Sequence, residues 1–307
     1  MKMIQKIIKY IFDREYRFLI NGYYGCYKNM ADDEYLKRKY KILMKSELNL
    51  NNPQTFNEKL QWLKLYDRSS KYTLLVDKYL VRDYVRDILG EEYLIPLIGV
   101  WDSPDEIDFD ALPNQFVLKC NHNSGLGMCI CKDKSNLNIE KVKRELKKGL
   151  KQDYYLTGRE WPYKDVPRKI ICEKFISNES TGDKDLSDYK FMCFNGKVKC
   201  SFVCTDRFSE KGLHVTFFDR NWGLMPFKRC YPSCNSILPK PINYEKMLEL
   251  AEKLSEGIPF VRVDFYESSG NIYFGELTFY PGSGFEAFSP EEWDDILGDW
   301  IKLPNLI

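Results

Sequence analysis

The chain has 307 residues and is 44% hydrophobic, enough for a large core within one enzyme-sized unit of two or three lobes. A formal net charge of +1 provides no basic field for nucleic acid. No stretch approaches the roughly 20 consecutive apolar residues of a membrane span.

The opening apolar residues are interrupted by Lys6, Lys9 and Asp13, which does not read as a secretory signal. Ten cysteines occur, but Cys129-x-Cys131, Cys200-x3-Cys204 and Cys230-x3-Cys234 lack zinc-ribbon spacing. The only histidines are His122 and His214, so reduced cytoplasmic thiols are expected rather than a metal site. In the first segment Met3, Ile4, Ile7, Ile8 and Ile11 share one helical face, with Lys2, Lys6 and Lys9 elsewhere. The simpler expectation is a helix docking that face on the protein; the alternative is contact with an anionic membrane surface. Residues 1–90 read as mostly helical, and strands dominate from residue 91.

Asn52–Lys59 reads as a turn entering a helix that runs through Leu60–Tyr66, with Thr55 or Asn57 as N-cap. A second helix is expected from about Ser70 to Leu89, with Asp77 and Lys78 at its middle. By itself Lys78 reads as a solvated helix residue. Phe116–Cys120 is a short strand that delivers Lys119. The glycine-containing turn Asn121–Gly127 and a second strand, Met128–Cys131, follow. Backbone amides in such a loop can approach phosphate oxygens while the lysine offers a point charge. It is not a Walker loop, because no Lys-Ser/Thr follows the glycines and no helix opens there, and on this stretch alone a hairpin turn with an incidental lysine is the favoured reading. His122 reads as a loop hydrogen-bonding residue.

Lys169–Ile176 reads as a buried strand with a polar, then apolar, exit. Asp188–Phe194 is another strand, closed by Asn195-Gly196 before Lys197–Cys204 returns, and Asp188 and Lys190 share one face. Residues 243–256 form a helix with Tyr244, Met247, Leu248, Ala251 and Leu254 on one side. It feeds the hairpin Arg262–Gly284, whose turn is Ser268-Ser269-Gly270-Asn271. Arg262 and Asp264 point the same way, as do Glu276 and Thr278. If that face is shared across the hairpin, a cation, two carboxylates and a hydroxyl converge. Such oxygens suit Mg²⁺, which usually shares its coordination with a nucleotide's phosphates. A salt-bridged surface hairpin is the plain alternative.

In this order the segments NPQTFNEKLQWLKLYD, DKYLVRDYV, FVLKCNHNSG, GREWPY, DYKFMCFNGK and GELTFYPGSG make a combination that resembles the ATP-grasp superfamily. It is similar in detail to the TupA-like branch, associated with bacterial cell-surface polysaccharide synthesis, over roughly residues 50–285. The resemblance implies an α+β fold in which two α+β lobes, about 115–175 and about 176–285 of a catalytic region 91–307, hold ATP between them. It implies that Lys78 and Lys119 bind the phosphates, under a flexible loop running from Asn123, Ser124 and Gly125 to Gly127. Glu173, Lys174, Phe175 and Ile176 would offer backbone bonds to adenine, Asp188 would meet the ribose, and Lys190 a phosphate. Asp264 and Glu276 would bind Mg²⁺, helped by Thr278, where many superfamily members carry Asn. Arg262, with Lys190, would act on the transferred phosphoryl group. Arg207 and Gly282–Phe288 are candidate substrate contacts.

The activity implied is a carboxylate–amine ligase working through an acyl phosphate. In the polysaccharide setting its substrates would be a uronic acid and an amino acid or amino alcohol. A cytoplasmic enzyme is expected, at the inner face of the membrane if the first helix touches lipid. A glycosyltransferase of the same pathway and a non-catalytic scaffold with the same fold remain as alternatives.

Overall fold

The computed structural model describes residues 2–177, 188–205, 212–234 and 237–305. The chain opens with helices α1 (Lys2–Phe12), α2 (Arg14–Tyr23), α3 (Asp32–Met44) and α4 (Phe56–Tyr66). Asp13 caps α2 by accepting from the Tyr16 amide. The cap of α4 falls on Thr55, in a reciprocal box with Glu58, while Asn57 lies in the first turn and bonds Asp294 and the Glu286 carbonyl. The expected docking of the α1 apolar face does not occur: Ile4, Ile7, Ile8 and Ile11 are all exposed.

The continuous helix expected over Ser70–Leu89 is two helices, α5 (Ser70–Val76) and α6 (Val81–Ile88). Asp77 leaves helical geometry, with ψ at 112°. Its Oδ1 accepts from the Tyr79 amide at 2.8 Å, the Leu80 amide at 3.3 Å and Asn121 Nδ2 at 2.9 Å. A buried aspartate that satisfies amides of the next turn favours the break over helix continuation. Lys78 therefore projects from this break and not from mid-helix.

A four-stranded antiparallel sheet follows, made of β1 (Leu97–Trp101), β2 (Phe116–Cys120), β3 (Cys129–Cys131) and β4 (Ile170–Lys174) in the order β1-β4-β2-β3. Helices α7 (Ile139–Lys151) and α8 (Tyr154–Gly158) lie between β3 and β4 in sequence. Phe116, Leu118, Ile170 and Cys172 share a small core with Val142 and Leu146 of α7. Period-two alternation then turns Val117 and Lys119 to the opposite face. The loop between β2 and β3 rests on α7 through two glycines. A Cβ at Gly127 would lie 2.9 Å from the Gly149 Cα, and one at Gly149 would lie 2.8 Å from the Gly127 Cα.

The second sheet is also antiparallel, with β5 (Asp188–Phe194), β6 (Lys197–Thr205), β7 (His214–Asp219), β9 (Phe260–Ser268) and β10 (Asn271–Thr278) in the order β10-β9-β5-β6-β7. Helix α9 (Tyr244–Leu254) buries the side expected from its spacing. A short pair, β8 (Lys228–Arg229) with β11 (Phe288–Ser289), and helix α10 (Glu292–Asp299) complete the chain. Helices α3 to α6 and this sheet pool Leu36, Phe56, Leu63, Val85, Phe191 and Val263 in one large core. Two cores thus stand on either side of the residues that carry charge.

Candidate active site

The hairpin is built as its sequence suggests. Ser269 and Gly270 take φ values of 51° and 79°, the two-residue turn whose twist matches antiparallel strands. Its register sets Asp264 opposite Glu276 and Arg262 opposite Thr278, with an irregularity at Gly275. On the other side of β9, β5 sets Lys190 opposite Asp264. Lys190, Asp264 and Glu276 therefore form one row across three strands, on one face of the sheet.

Arg262 grips Asp264 with both arms of its fork, each at 2.6 Å, and its Nη2 also reaches Glu276 Oε1 at 3.0 Å. Thr278 Oγ1 donates to the same Glu276 oxygen at 3.2 Å. Lys190 pairs with Asp264 and, at 2.7 Å, with Asp188. Asp264 is 1% exposed, whereas the Glu276 side chain is 35% exposed. The row thus has a sealed carboxylate and an open one. Desolvation is the largest influence on Glu276 and pushes its carboxyl upward, yet Lys78, Arg262 and Lys190 together hold it down to about 2. Lys190 is also desolvated, but Asp264 keeps its ammonium above the usual lysine range. Burial pushes Asp188 upward against the pull of Lys190.

Lys78 joins the two sheets. Its backbone amide donates to the Asn121 carbonyl at 3.2 Å and its Nζ to the Asn123 carbonyl at 2.8 Å, while Nζ lies 3.6 Å from Glu276 Oε2. Lys119, on the outward face of β2, pairs with Glu173 Oε2 at 2.6 Å, and Arg82 Nη1 approaches the other Glu173 oxygen at 3.4 Å. Glu173 faces β1 and β2 on either side, and the Lys174 amide donates to the Pro96 carbonyl at 3.0 Å. Phe175 and Ile176 are accordingly the first residues beyond the ladder. Asn123 is buried and donates to the Gly149 carbonyl at 3.2 Å; Ser124 and Gly125 are exposed, Ser124 meeting the Tyr154 hydroxyl.

Beyond β10 the chain makes a strained turn, with Gly282, Ser283 and Gly284 at φ 59°, 56° and 64°. Lys64, fully buried in α4, supports it by donating to the Ser283 carbonyl at 2.7 Å, the Gly158 carbonyl at 2.8 Å and Gln61 Oε1 at 2.9 Å. Ser283 Oγ donates to Glu160 Oε1 at 2.7 Å. Burial draws the Lys64 ammonium down to about 7 and pushes Glu160 upward, each partner resisting the shift of the other. Arg207 lies outside the described residues.

The structure brings Arg262, Asp264, Glu276 and Thr278 of the hairpin together, places Lys190 in the same row, and joins Lys78 to them by a different local structure from the one expected. Sequence reasoning missed Arg82, Tyr154, Lys64 and Glu160. Lys64, Arg82 and Glu160 stand within the quoted segments without a role, and nothing local marks Tyr154, because the partners of all four include residues far away in sequence. His122 is a loop hydrogen-bonding residue as expected, its Nε2 lying 3.2 Å from the Gln152 carbonyl. No disulfide links the described cysteines, and among the described residues no three His, Cys, Asp or Glu side chains cluster as a metal cage. Of the expected Mg²⁺ ligands, Glu276 is the open carboxylate and Thr278 lies beside it, whereas both Asp264 oxygens are held by Arg262 and Lys190, so an ion would reach Asp264 only by displacing one of these cations and would take its remaining oxygens from phosphate and water. Two surface depressions lie away from this row: one of about 500 Å³ beside Lys174 and Phe175, the other of about 430 Å³ along the basic face of α7.

The model of the TupA-like ATPgrasp family matches residues 58–302. No curated protein sequence matches the chain. Similar solved structures include the D-alanine–D-alanine ligase of Bacillus anthracis complexed with ATP, at 14% identity and a TM-score of 0.39, covering 67% of this chain and 54% of that one. The Helicobacter pylori D-alanine–D-alanine ligase aligns at 18% identity and 0.39, covering 75% and 63%. The ATP-grasp ligase PsnB with minimal precursor, Mg and ADP aligns at 10% identity and 0.39, covering 83% and 64%. The chain thus spans less than two thirds of each of these structures, and at such scores they carry no argument about its chemistry.

Proposed function

Because the chain belongs to the TupA-like ATP-grasp family, we propose that it is an ATP-dependent ligase that activates a carboxylate as an acyl phosphate and passes the acyl group to an amine. The observation that carries the reading is the row Lys190–Asp264–Glu276, with Arg262 beside it and Lys78 tying it to the glycine loop. Phosphoryl transfer needs little covalent machinery; it needs positioned charge.

In this reading Lys78 and Lys119 hold the phosphates, and Asn123–Gly125 cover them. Phe175 and Ile176 offer backbone groups to adenine, and Asp188 faces the ribose. Asp264, Glu276 and Thr278 would hold Mg²⁺, which neutralises phosphate charge and orients the terminal group when bound. Arg262 and Lys190, fixed by Asp264, present cationic hydrogen-bond donors to the charge that builds up during transfer. A carboxylate oxygen of the substrate forms a bond to the terminal phosphorus as the bond to ADP breaks. The amine nitrogen then bonds the acyl carbon, phosphate departs with the acyl C–O bond, and a proton leaves the nitrogen. The acceptor we take to be a uronic-acid type of carboxylate in a surface-polysaccharide precursor, on the family resemblance.

The test is calorimetric titration with Mg·ATP and, in parallel, with Mg·UDP-sugars, repeated on Lys119→Ala. Mg·ATP binding that weakens strongly in the variant supports the site, and phosphate release should then be screened over pairs of uronic acids and amines. Binding of UDP-sugars alone would overturn the ligase reading, and so would the absence of nucleotide binding.

A further inference from the structure

Helix α1 meets the rest of the protein from its polar side, with residues 4–12 all exposed. Tyr10 donates to Asn21 Oδ1 at 2.7 Å, the Lys9 ammonium lies 4.8 Å from the centre of the Tyr16 ring, and Arg17 donates to the carbonyls of Tyr10 and Ile11. The contacts with α2 thus come from the side and end of the helix that Lys9 and Tyr10 occupy. Opposite them, Ile4, Ile7, Ile8 and Ile11 recur at helical spacing and are 63%, 54%, 50% and 54% exposed, with Phe12 at 79%. Tyr23 and Tyr24, at the returning end of α2, are exposed as well. An isoleucine stripe left in solvent by a helix that touches α2 from its polar side is the reverse of ordinary amphipathic packing.

We propose that this face docks on an anionic phospholipid surface. Charge selects that occupant. Lys2, Lys6 and Lys9 are the only charged residues of α1, which contains no acidic group, while in the segment that follows Asp13 and Glu15 balance Arg14 and Arg17. Two copies meeting face to face would bring lysine-only helices together, whereas an anionic bilayer attracts them. Tyrosines with one apolar and one polar end suit the same boundary. No described helix is long and apolar enough to cross a membrane, so the contact is with the surface.

The whole chain should be floated with phosphatidylcholine vesicles, with and without phosphatidylglycerol. The expected result is binding to the phosphatidylglycerol vesicles, weakened by salt and reduced by about tenfold or more in Ile8→Glu/Ile11→Glu, which removes two inserted side chains. Lys2→Glu/Lys6→Glu, which leaves the Lys9 contact with Tyr16 in place, should lose the preference for anionic vesicles while keeping the parent's circular dichroism melt. Failure of the parent to bind, or equal binding by both variants, overturns the proposal. A dimer in sedimentation equilibrium that dissociates in the isoleucine variant, without vesicle binding, overturns it in favour of a second copy.

Discussion

Lys78 Nζ lies between the Asn123 carbonyl, 2.8 Å away, and Glu276 Oε2, 3.6 Å away, so one ammonium touches both the glycine loop and the open carboxylate of the second sheet. Replacing it removes the tether between the two halves of the site and, on the proposed function, a point of attachment for phosphate. Lys78→Ala should lower kcat/KM for Mg·ATP on the order of 100-fold, as loss of one positioned donor does elsewhere. Steady-state kinetics with a matched Kd for nucleotide checks this, and unchanged values would remove Lys78 from the phosphate site.

The two carboxylates of the row should respond differently to isosteric replacement. Asp264 is sealed and neutralises both Lys190 and Arg262, so Asp264→Asn should cost about 3–5 kcal/mol of stability as well as turnover. Glu276 is partly exposed, and Glu276→Gln should abolish turnover while costing less stability than Asp264→Asn. Urea melts beside phosphate-release assays separate the two; equal stability losses would contradict the sealed-and-open description.

Lys64→Met tests the support under the strained turn. The ammonium donates to Gln61, Gly158 and Ser283 and has no solvent exposure, and its loss leaves Glu160 buried without its strongest counter-charge. A loss of about 3 kcal/mol or more is expected in chemical denaturation. Glutamine at the same position should recover part of it by retaining donors.

Acid sensitivity should trace in part to His122. Burial lowers its pKa to about 4 from the ordinary 6.5, its contact with the Gln152 carbonyl opposing the shift. Between those values the unfolded chain binds a proton that the folded chain refuses, so stability falls as pH drops from about 6.5 to about 4. In His122→Gln the fall in Tm across that window should be shallower. A parallel slope would show that other groups dominate.

What could be read in advance was whatever depends on short spacing. Arg262 with Asp264, Glu276 with Thr278 and Asp188 with Lys190 follow from strand period alone, and the α9 face follows from helical period. The break at Asp77 was not legible, because Asn121, on a loop of the other sheet, holds the aspartate in its non-helical position. Lys119 showed itself as a strand cation, but its Glu173 and Arg82 neighbours required the pairing of β2 with β4 and the seating of α6. In α1 the sequence displayed an apolar stripe without indicating which way the helix would be mounted; that orientation comes from Lys9 and Tyr10 meeting α2.

The contact between Gly127 and Gly149 bears on how relatives of this chain should diverge. With each Cα occupying the space of the other's missing Cβ, neither position can gain a side chain unless the loop lifts from α7. The two sites should therefore vary as a pair: relatives that keep this seating should keep both residues small, and a larger residue at one should accompany a lengthened or rebuilt loop. Paired substitution at these two positions would then distinguish members with a loop seated on α7 from those that have re-engineered it.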